Sequence, residues 1–261
     1  MHTITILVIG DVVGTSGSEI LRRHLSALKK LYGADAVIVN GENSAEGNGI
    51  TPASAEHLFQ SGADVITGGN HNFRRKEIYP LLEENEYLLR PANYPASAPG
   101  RGMCVIDRGA YKIGVINLLG VVFMDSLESP FDCADRLIAE LNAQGVHMIA
   151  VDIHAEATGE KLALAHDLDG RVSAVFGTHT HVQTADEQIL PQGTGYITDI
   201  GMTGPTCSIL GVKPEQAIAR MKDKLPIKLE TAATPCMLNA ALISVDKKSG
   251  KALDIRRLNI T

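Results

Sequence analysis

The stretch ITILVIGD, residues 4–11, decides the fold class. It is a short β-branched apolar run closed by Gly10-Asp11, which reads as a buried strand ending in a turn. The next segment, 17–32, sets Leu21, Leu25, Leu28 and Tyr32 at helical spacing on one face. A second strand is expected over 36–39. Thr51-Pro52 then supplies an N-cap and a first helical position, with Gly62 closing that helix. A third strand over 65–67 and a third helix over 75–84 come next. Residues 89–102, with Pro91, Pro95 and Pro99, read as irregular. Strands resume over 112–118, 147–152, 173–176 and 195–199. A helix over 132–142 turns Ala134, Leu137 and Leu141 inward. Pro214 opens another, with Ala217, Ile218 and Met221 on one face. The closing strands, 237–245 and 252–258, have no helix between them and are expected to be antiparallel. The class is α/β, a mixed sheet in one domain over 1–261, covered on both faces because its strands are apolar throughout.

Composition narrows the function. The chain has 261 residues, 44% of them hydrophobic and 21% charged, which excludes disorder, collagen-like repeats and coiled coils. Its 24 Lys and Arg against 30 Asp and Glu give a formal charge of −6. Broad electrostatic affinity for nucleic acid is not expected of such a chain. Cys104, Cys133, Cys207 and Cys236 form no C-x-x-C pair, which suits a reducing compartment. The start, MHTITILVIGD, lacks the basic region and cleavage site of a signal peptide. No stretch reaches the ~18 apolar residues of a membrane span. A cytoplasmic protein without membrane contact is expected.

The residues just past each apolar strand are informative. Gly10-Asp11 ends the first, Glu42 and Asn43 lie beyond the second, and Gly69-Asn70-His71 beyond the third. The run near 150 leads to His154 and Glu156, and that near 175 to Gly177-Thr178-His179-Thr180-His181. In α/β sheets the carboxyl ends of the strands share one edge, where ligands bind. Singly, each group has an ordinary reading: Asp11 as a helix cap, Asn70 as a turn residue, Glu42 and Asn43 as solvated loop. Together, Asp11, Glu42, Asn43, Asn70, His154, His179 and His181 offer carboxylate, amide and imidazole donors, a set that suits iron, manganese or zinc. They are too many for one open catalytic ion and fit two, with one carboxylate shared. Two such ions hold phosphate oxygens and activate a water between them. With only two carboxylates in the set, the pocket would be positive and would suit a phosphate ester. His71 is either a further ligand or, as preferred, the acid that protonates a leaving alkoxide, since imidazole exchanges a proton near neutral pH. Arg74 and Arg75 are candidates for orienting the phosphate, or else a solvated helix start. His2, His24, His57, His147 and His166 fall on strands or helices away from these loops.

The motifs G-D at 10–11, G-E-N at 41–43, G-N-H at 69–71, H-A-E at 154–156 and G-T-H-T-H at 177–181 resemble those of the calcineurin-like metallophosphoesterases. Within that superfamily the chain is most similar to the YmdB-like branch. R-P-A-N-Y-P at 90–95, T-H-V-Q-T-A-D at 180–186 and D-I-G-M-T-G-P at 199–205 extend the likeness over nearly the whole chain. The resemblance implies a two-sheet β-sandwich flanked by helices, α-β-β-α, with a dinuclear centre at the strand ends. It implies Asp11, Asn43 and His181 on one metal, Asn70, His154 and His179 on the other, Glu42 bridging, and His71 as proton donor. It further implies iron, with manganese or zinc open, a homo-oligomer, and hydrolysis of cyclic nucleotides by a metal-bridging hydroxide. The 2′,3′-cyclic forms are the expected substrates, with 3′,5′-cyclic forms open. Val13 stands where the wider superfamily carries a histidine, and Glu42 where it carries an aspartate; both departures are typical of the narrower branch. Asn72-Phe73-Arg74 after G-N-H, and Thr206-Cys207 after G-M-T-G-P, depart from the branch pattern and bear on substrate preference.

Three other readings compete. A phosphomonoesterase or nucleotidase would use the same metals. A regulatory, RNA-associated protein with little turnover would keep the metals for structure. A dinucleotide-binding module is suggested by Gly10, Gly14 and Gly17 before Glu42, but the spacing is G-x-x-x-G-x-x-G rather than G-x-G-x-x-G, and the histidines go unexplained.

Overall fold

The computed structural model describes residues 3–261. Its strands are β1 (Thr3–Ile9), β2 (Asp11–Val12), β3 (Ala36–Asn40), β4 (Val65–Thr67), β5 (Met103–Asp107), β6 (Lys112–Leu119), β7 (Met148–His154), β8 (Ala174–Thr178), β9 (Gln188–Ile189), β10 (Gly195–Ile197), β11 (Met202–Pro205), β12 (Cys236–Asp246) and β13 (Ala252–Ile260). Its helices are α1 (Gly14–Tyr32), α2 (Pro52–Ser61), α3 (Tyr79–Glu84), α4 (Pro130–Ala143), α5 (Thr158–Asp167) and α6 (Pro214–Asp223). None is long and apolar enough to cross a membrane.

The strands form two sheets, not one. The first runs β2-β11-β12-β1-β3-β4, with β13 paired to β12, and the second β5-β6-β7-β8-β10-β9. β1, β3 and β4 are parallel, and so are β6, β7, β8 and β10. The alternation of side chains along a strand explains the layering. Ile4, Ile6 and Val8 of β1 point into a core shared with Val115, Ala150 and Phe176 of the second sheet. Leu7 and Ile9 point the other way, onto Leu21, Leu25 and Leu28 of α1 and Leu58 of α2. The second sheet likewise packs Ile116, Val151 and Val175 against Leu137 and Leu141 of α4 and Leu164 of α5. Each such side chain contributes about 1.5–3 kcal/mol relative to exposure. The result is an α-β-β-α sandwich, as the resemblance implies.

Local signals prevail where the chemistry is local. Thr51 caps α2 reciprocally with Ser54, Pro52 opens it, and Gly62 ends it in the left-handed conformation. The expected helix over 75–84 is instead a 3₁₀ turn, Lys76–Ile78, followed by α3. Pro80 is the cause: it has no N–H to continue a helix begun at 75. Strands β5 and β11 and helix α5 were not expected from the sequence. The helix opened by Pro214 forms, but only Ala217 of its apolar face is buried; Ile218 and Met221 are exposed.

All four cysteines are free thiols. Burial pushes Cys104 up to about 12 and Cys133 up to about 11, whereas Cys207 is exposed. The thiolate is the nucleophile. Iodoacetamide at pH 8 should therefore alkylate Cys207 in the native protein and spare Cys104 and Cys133; rapid labelling of either buried thiol, read by peptide mass spectrometry, would contradict this packing.

Candidate metal centre

The sandwich joins two sheet edges. Asp11 begins β2 directly after β1, Glu42 and Asn43 lie in the turn after β3, and Asn70 and His71 come after β4. His154 is the last residue of β7, and His179 and His181 lie in the loop after β8. The first sheet thus supplies the carboxylates, the amides and His71, and the second supplies the other three imidazoles.

These groups converge on His154 Nε2. It lies 3.1 Å from Asn70 Oδ1, 3.1 Å from His179 Nδ1 and 3.3 Å from Glu42 Oε2. Glu42 also spans the site: its Oε1 is 2.7 Å from Asn43 Nδ2 and 3.1 Å from His71 Nδ1. Asn43 Nδ2 is 3.4 Å from His181 Nε2, and Asp11 Oδ2 accepts from His179 N at 3.1 Å. Asp11, Glu42, Asn43 and His154 are all buried. Gly69 is required here, because a Cβ at that position would collide with Glu42 Oε2 and His154 Nε2.

Each of the three imidazoles has one nitrogen committed to a protein oxygen. Thr178 donates its hydroxyl to Asp152 Oδ1 at 2.7 Å, so the hydroxyl oxygen accepts from His154 Nδ1 at 2.9 Å. Glu156 Oε2 accepts from His179 Nε2 at 3.1 Å, and the Leu210 carbonyl from His181 Nδ1 at 3.0 Å. The other nitrogens, His154 Nε2, His179 Nδ1 and His181 Nε2, face the site and are the ones that would ligate a cation. This is how outer partners fix metal-ligating histidines. The loop is held in strained shape for it: His179 and His181 have φ of 97° and 65°, left-handed values that are rare for residues other than glycine. Asp199 Oδ2 pins the residue between them, accepting from Thr180 N at 3.0 Å and Thr180 Oγ1 at 2.8 Å, and is itself paired with buried Lys161 at 2.8 Å.

The electrostatics fit a cation. Asp11 Oδ1 is buried with no hydrogen-bond partner among the described residues, an expensive state for a carboxylate oxygen. Burial raises the Asp11 carboxyl. Burial would also raise Glu42, but His154 and His71 beside it hold it well below the usual carboxylate range. Burial lowers His154, yet the Glu42, Asp11 and Asp152 carboxylates outweigh this and push it up to about 9, so without a cation the ring holds a proton that metal binding would displace. Burial and His154 push His179 down to about 4, leaving it neutral as a ligand must be. Glu42, His154 and His179 have donor atoms all within 4.8 Å of one another. Electron pairs aimed at one place, with no sulfur among them, suit iron, manganese or zinc.

The remaining candidates are placed differently. His24 and His57 sit on α1 and α2, His147 precedes β7, and His166 is on α5. His2 lies outside the described residues. Arg75 donates to the carbonyls of Glu46 and Asn48 and lines a cavity with Thr15 and His57. Neither Arg74 nor Arg75 lines the cavity in front of the candidate ligands; the carbonyl bonds hold the Arg75 guanidinium at the 46–48 loop, and Arg220 and Lys224 line that cavity instead. Sequence reasoning missed the supporting groups Asn40, Thr67, Asp152, Thr178, Lys161 and Asp199. The one signal was Asp152, an acid inside an apolar strand two residues before His154.

The model of the family described as YmdB-like protein matches residues 7–258. The chain belongs to the YmdB-like family. It is 47% identical over 255 residues to the 2′,3′-cyclic-nucleotide 2′-phosphodiesterase of Bacillus subtilis (strain 168), covering 98% of this chain and 96% of that protein. The crystal structure of a hypothetical protein from Thermus thermophilus matches with a TM-score of 0.92 and 40% identity, covering 98% of both chains. That of a novel phosphatase from Mycoplasma pneumoniae matches at 0.93 and 35%, covering 100% of this chain and 94% of that one.

Proposed function

We propose that the protein is a metal-dependent phosphodiesterase that hydrolyses 2′,3′-cyclic nucleotides. The observation that carries this reading is the set of three oriented imidazoles facing Glu42, Asn43, Asn70 and Asp11. Asp11, Asn43 and His181 would hold one ion and Asn70, His154 and His179 a second, with Glu42 placed between the two groups. Iron is favoured by the family likeness, and manganese or zinc would accept the same donors. Bound there, the cations would withdraw charge from the phosphoryl oxygens and let a water ionise at neutral pH.

The chain's own residues supply the proton chemistry. His71 Nδ1 faces Asn43 Oδ1 at 2.9 Å and Glu42 Oε1 at 3.1 Å. Anchored so, the ring turns Nε2 to the cavity, which His71 also lines. As imidazolium it gives its proton to the departing ribose 2′-oxygen while a water oxygen bonds to phosphorus. The P–O2′ bond breaks, the product is a 3′-phosphate, and the proton released by water restores His71.

The test is turnover of cytidine 2′,3′-cyclic phosphate by protein loaded with iron or manganese. His71→Ala should lower kcat by about 10²–10⁴-fold on this alkoxide leaving group, the range of general acid catalysis. The loss should be smaller on an aryl diester, whose leaving group needs no proton. Equal losses on both substrates would remove His71 from the acid role, and absence of turnover on any phosphodiester would overturn the activity.

A further inference from the structure

The cavity in front of the candidate ligands has a volume of about 590 Å³, and the segment 209–231 supplies much of its lining. That segment presents two kinds of side chain. Leu210, Met221 and Leu229 are apolar, and Leu210 and Met221 are 51% and 64% exposed. Leu210 is held in the left-handed region at φ 52°, in the same residue whose carbonyl fixes His181. Apolar surface kept open beside a polar centre is the usual lining for the flat, weakly polar part of a small ligand.

The second kind is cationic. Arg220 and Lys224 line the same cavity. Neither makes a salt bridge among the described residues, whereas Lys213 on the same segment pairs with Glu230 at 2.6 Å. Arg220 is in the last turn of α6 and Lys224 is the left-handed residue that ends it. The reacting phosphate would be met by the candidate ligands, which line the same cavity. Two unpaired cations outside that set therefore call for a second anionic group on the same substrate.

We infer that the site takes nucleotides that end in a 2′,3′-cyclic phosphate and also carry a phosphate on the 5′-oxygen. Arg220 and Lys224 hold the 5′-phosphate, and the base lies on Leu210, Met221 and Leu229. This rests on the phosphodiesterase reading and deepens it. Such a 5′-phosphate belongs either to the cyclic-phosphate end of an RNA chain or to a 5′-phosphorylated mononucleotide. Two cations at one cavity, on a chain with a formal charge of −6, select an end rather than a length of nucleic acid.

Three substrates decide it: cytidine 2′,3′-cyclic phosphate, its 5′-phosphorylated form, and a cytidine dinucleotide with a 2′,3′-cyclic end. The two that carry the extra phosphate should have kcat/KM about tenfold above the first. Equal gains mean that the phosphate alone is read, and a gain confined to the dinucleotide means that the chain is read. R220Q/K224Q should bring the ratio to within about twofold of one. The ratio is taken on one preparation, so a loss of active protein does not move it. Calorimetry with the dinucleotide 3′-phosphate should show weaker binding to the variant and a salt slope flatter by about 0.7, as expected when one phosphate is no longer neutralised. A ratio near one in the unaltered protein, with all three substrates hydrolysed, overturns the inference and leaves the phosphodiesterase reading standing. Hydrolysis of none overturns both.

Discussion

Glu42→Gln should leave the fold intact and reduce kcat by about 10³-fold or more. The substitution keeps the size of a side chain that is 1% exposed, so the sandwich loses little packing. The charge and the donor pattern are altered instead. Glu42 Oε2 accepts from His71 N at 3.0 Å and lies 3.3 Å from His154 Nε2, while Oε1 faces Asn43 and His71. An amide nitrogen at either position sets a donor against a donor or removes the negative charge that reaches both halves of the ligand set. Metal ions supply several kcal/mol of charge stabilisation to such reactions, and each ~1.4 kcal/mol is tenfold in rate. Elemental analysis should show metal content falling with activity, while circular dichroism stays that of the parent. Retention of both metal and turnover in the variant would sink the proposed centre.

Lys161→Met should lower stability by about 3–5 kcal/mol, the usual loss when one partner of a buried pair is removed. Lys161 is fully buried on α5, with Nζ 2.8 Å from Asp199 Oδ2 and 2.7 Å from the Thr178 carbonyl. Its loss leaves the Asp199 charge buried, with only the Thr180 and Gly201 donors to hold it. At ~2–4 °C per kcal/mol for a domain of about this size, Tm should fall by roughly 10 °C. K161M/D199N should recover part of the loss, because the stranded charge is then gone. The same pair fixes the strained His179–His181 loop, so metal affinity should fall with stability. A calorimetric Tm within about 2 °C of the parent would show that Lys161 does not carry this load.

The convergence of the candidate ligands was legible because each sits at or just past the end of an apolar strand. Asp11, Glu42, Asn43, Asn70, His154, His179 and His181 all reach one site from those ends. The strands themselves were legible for the same reason that they are buried: with both faces covered, their apolar runs are nearly continuous. Other elements hid their purpose. Helix α5 turns Glu160 and Lys161 inward, so its apolar periodicity is weak. Strand β11 contains Gly204 and Pro205, which argue against a strand, and forms because β2 and β12 offer it ladders on both sides. Ala217 and Met221 of α6 read as core but line the cavity.

By itself, then, the sequence determined most of the strands and helices, the caps of α2 and the donor chemistry at the strand ends, because these arise from spacing and residue type along the chain. The two-sheet sandwich was legible through the motifs of the family and not through spacing, which read as a single mixed sheet. The tertiary structure alone decided which nitrogen of each histidine faces the site, that Lys161 neutralises Asp199, and that Arg220 and Lys224 share the cavity of the candidate ligands. Those outcomes depend on groups far apart in the chain whose pairing is set by burial: a buried charge or imidazole N–H takes the partner that packing brings within reach, and nothing local in the sequence names that partner.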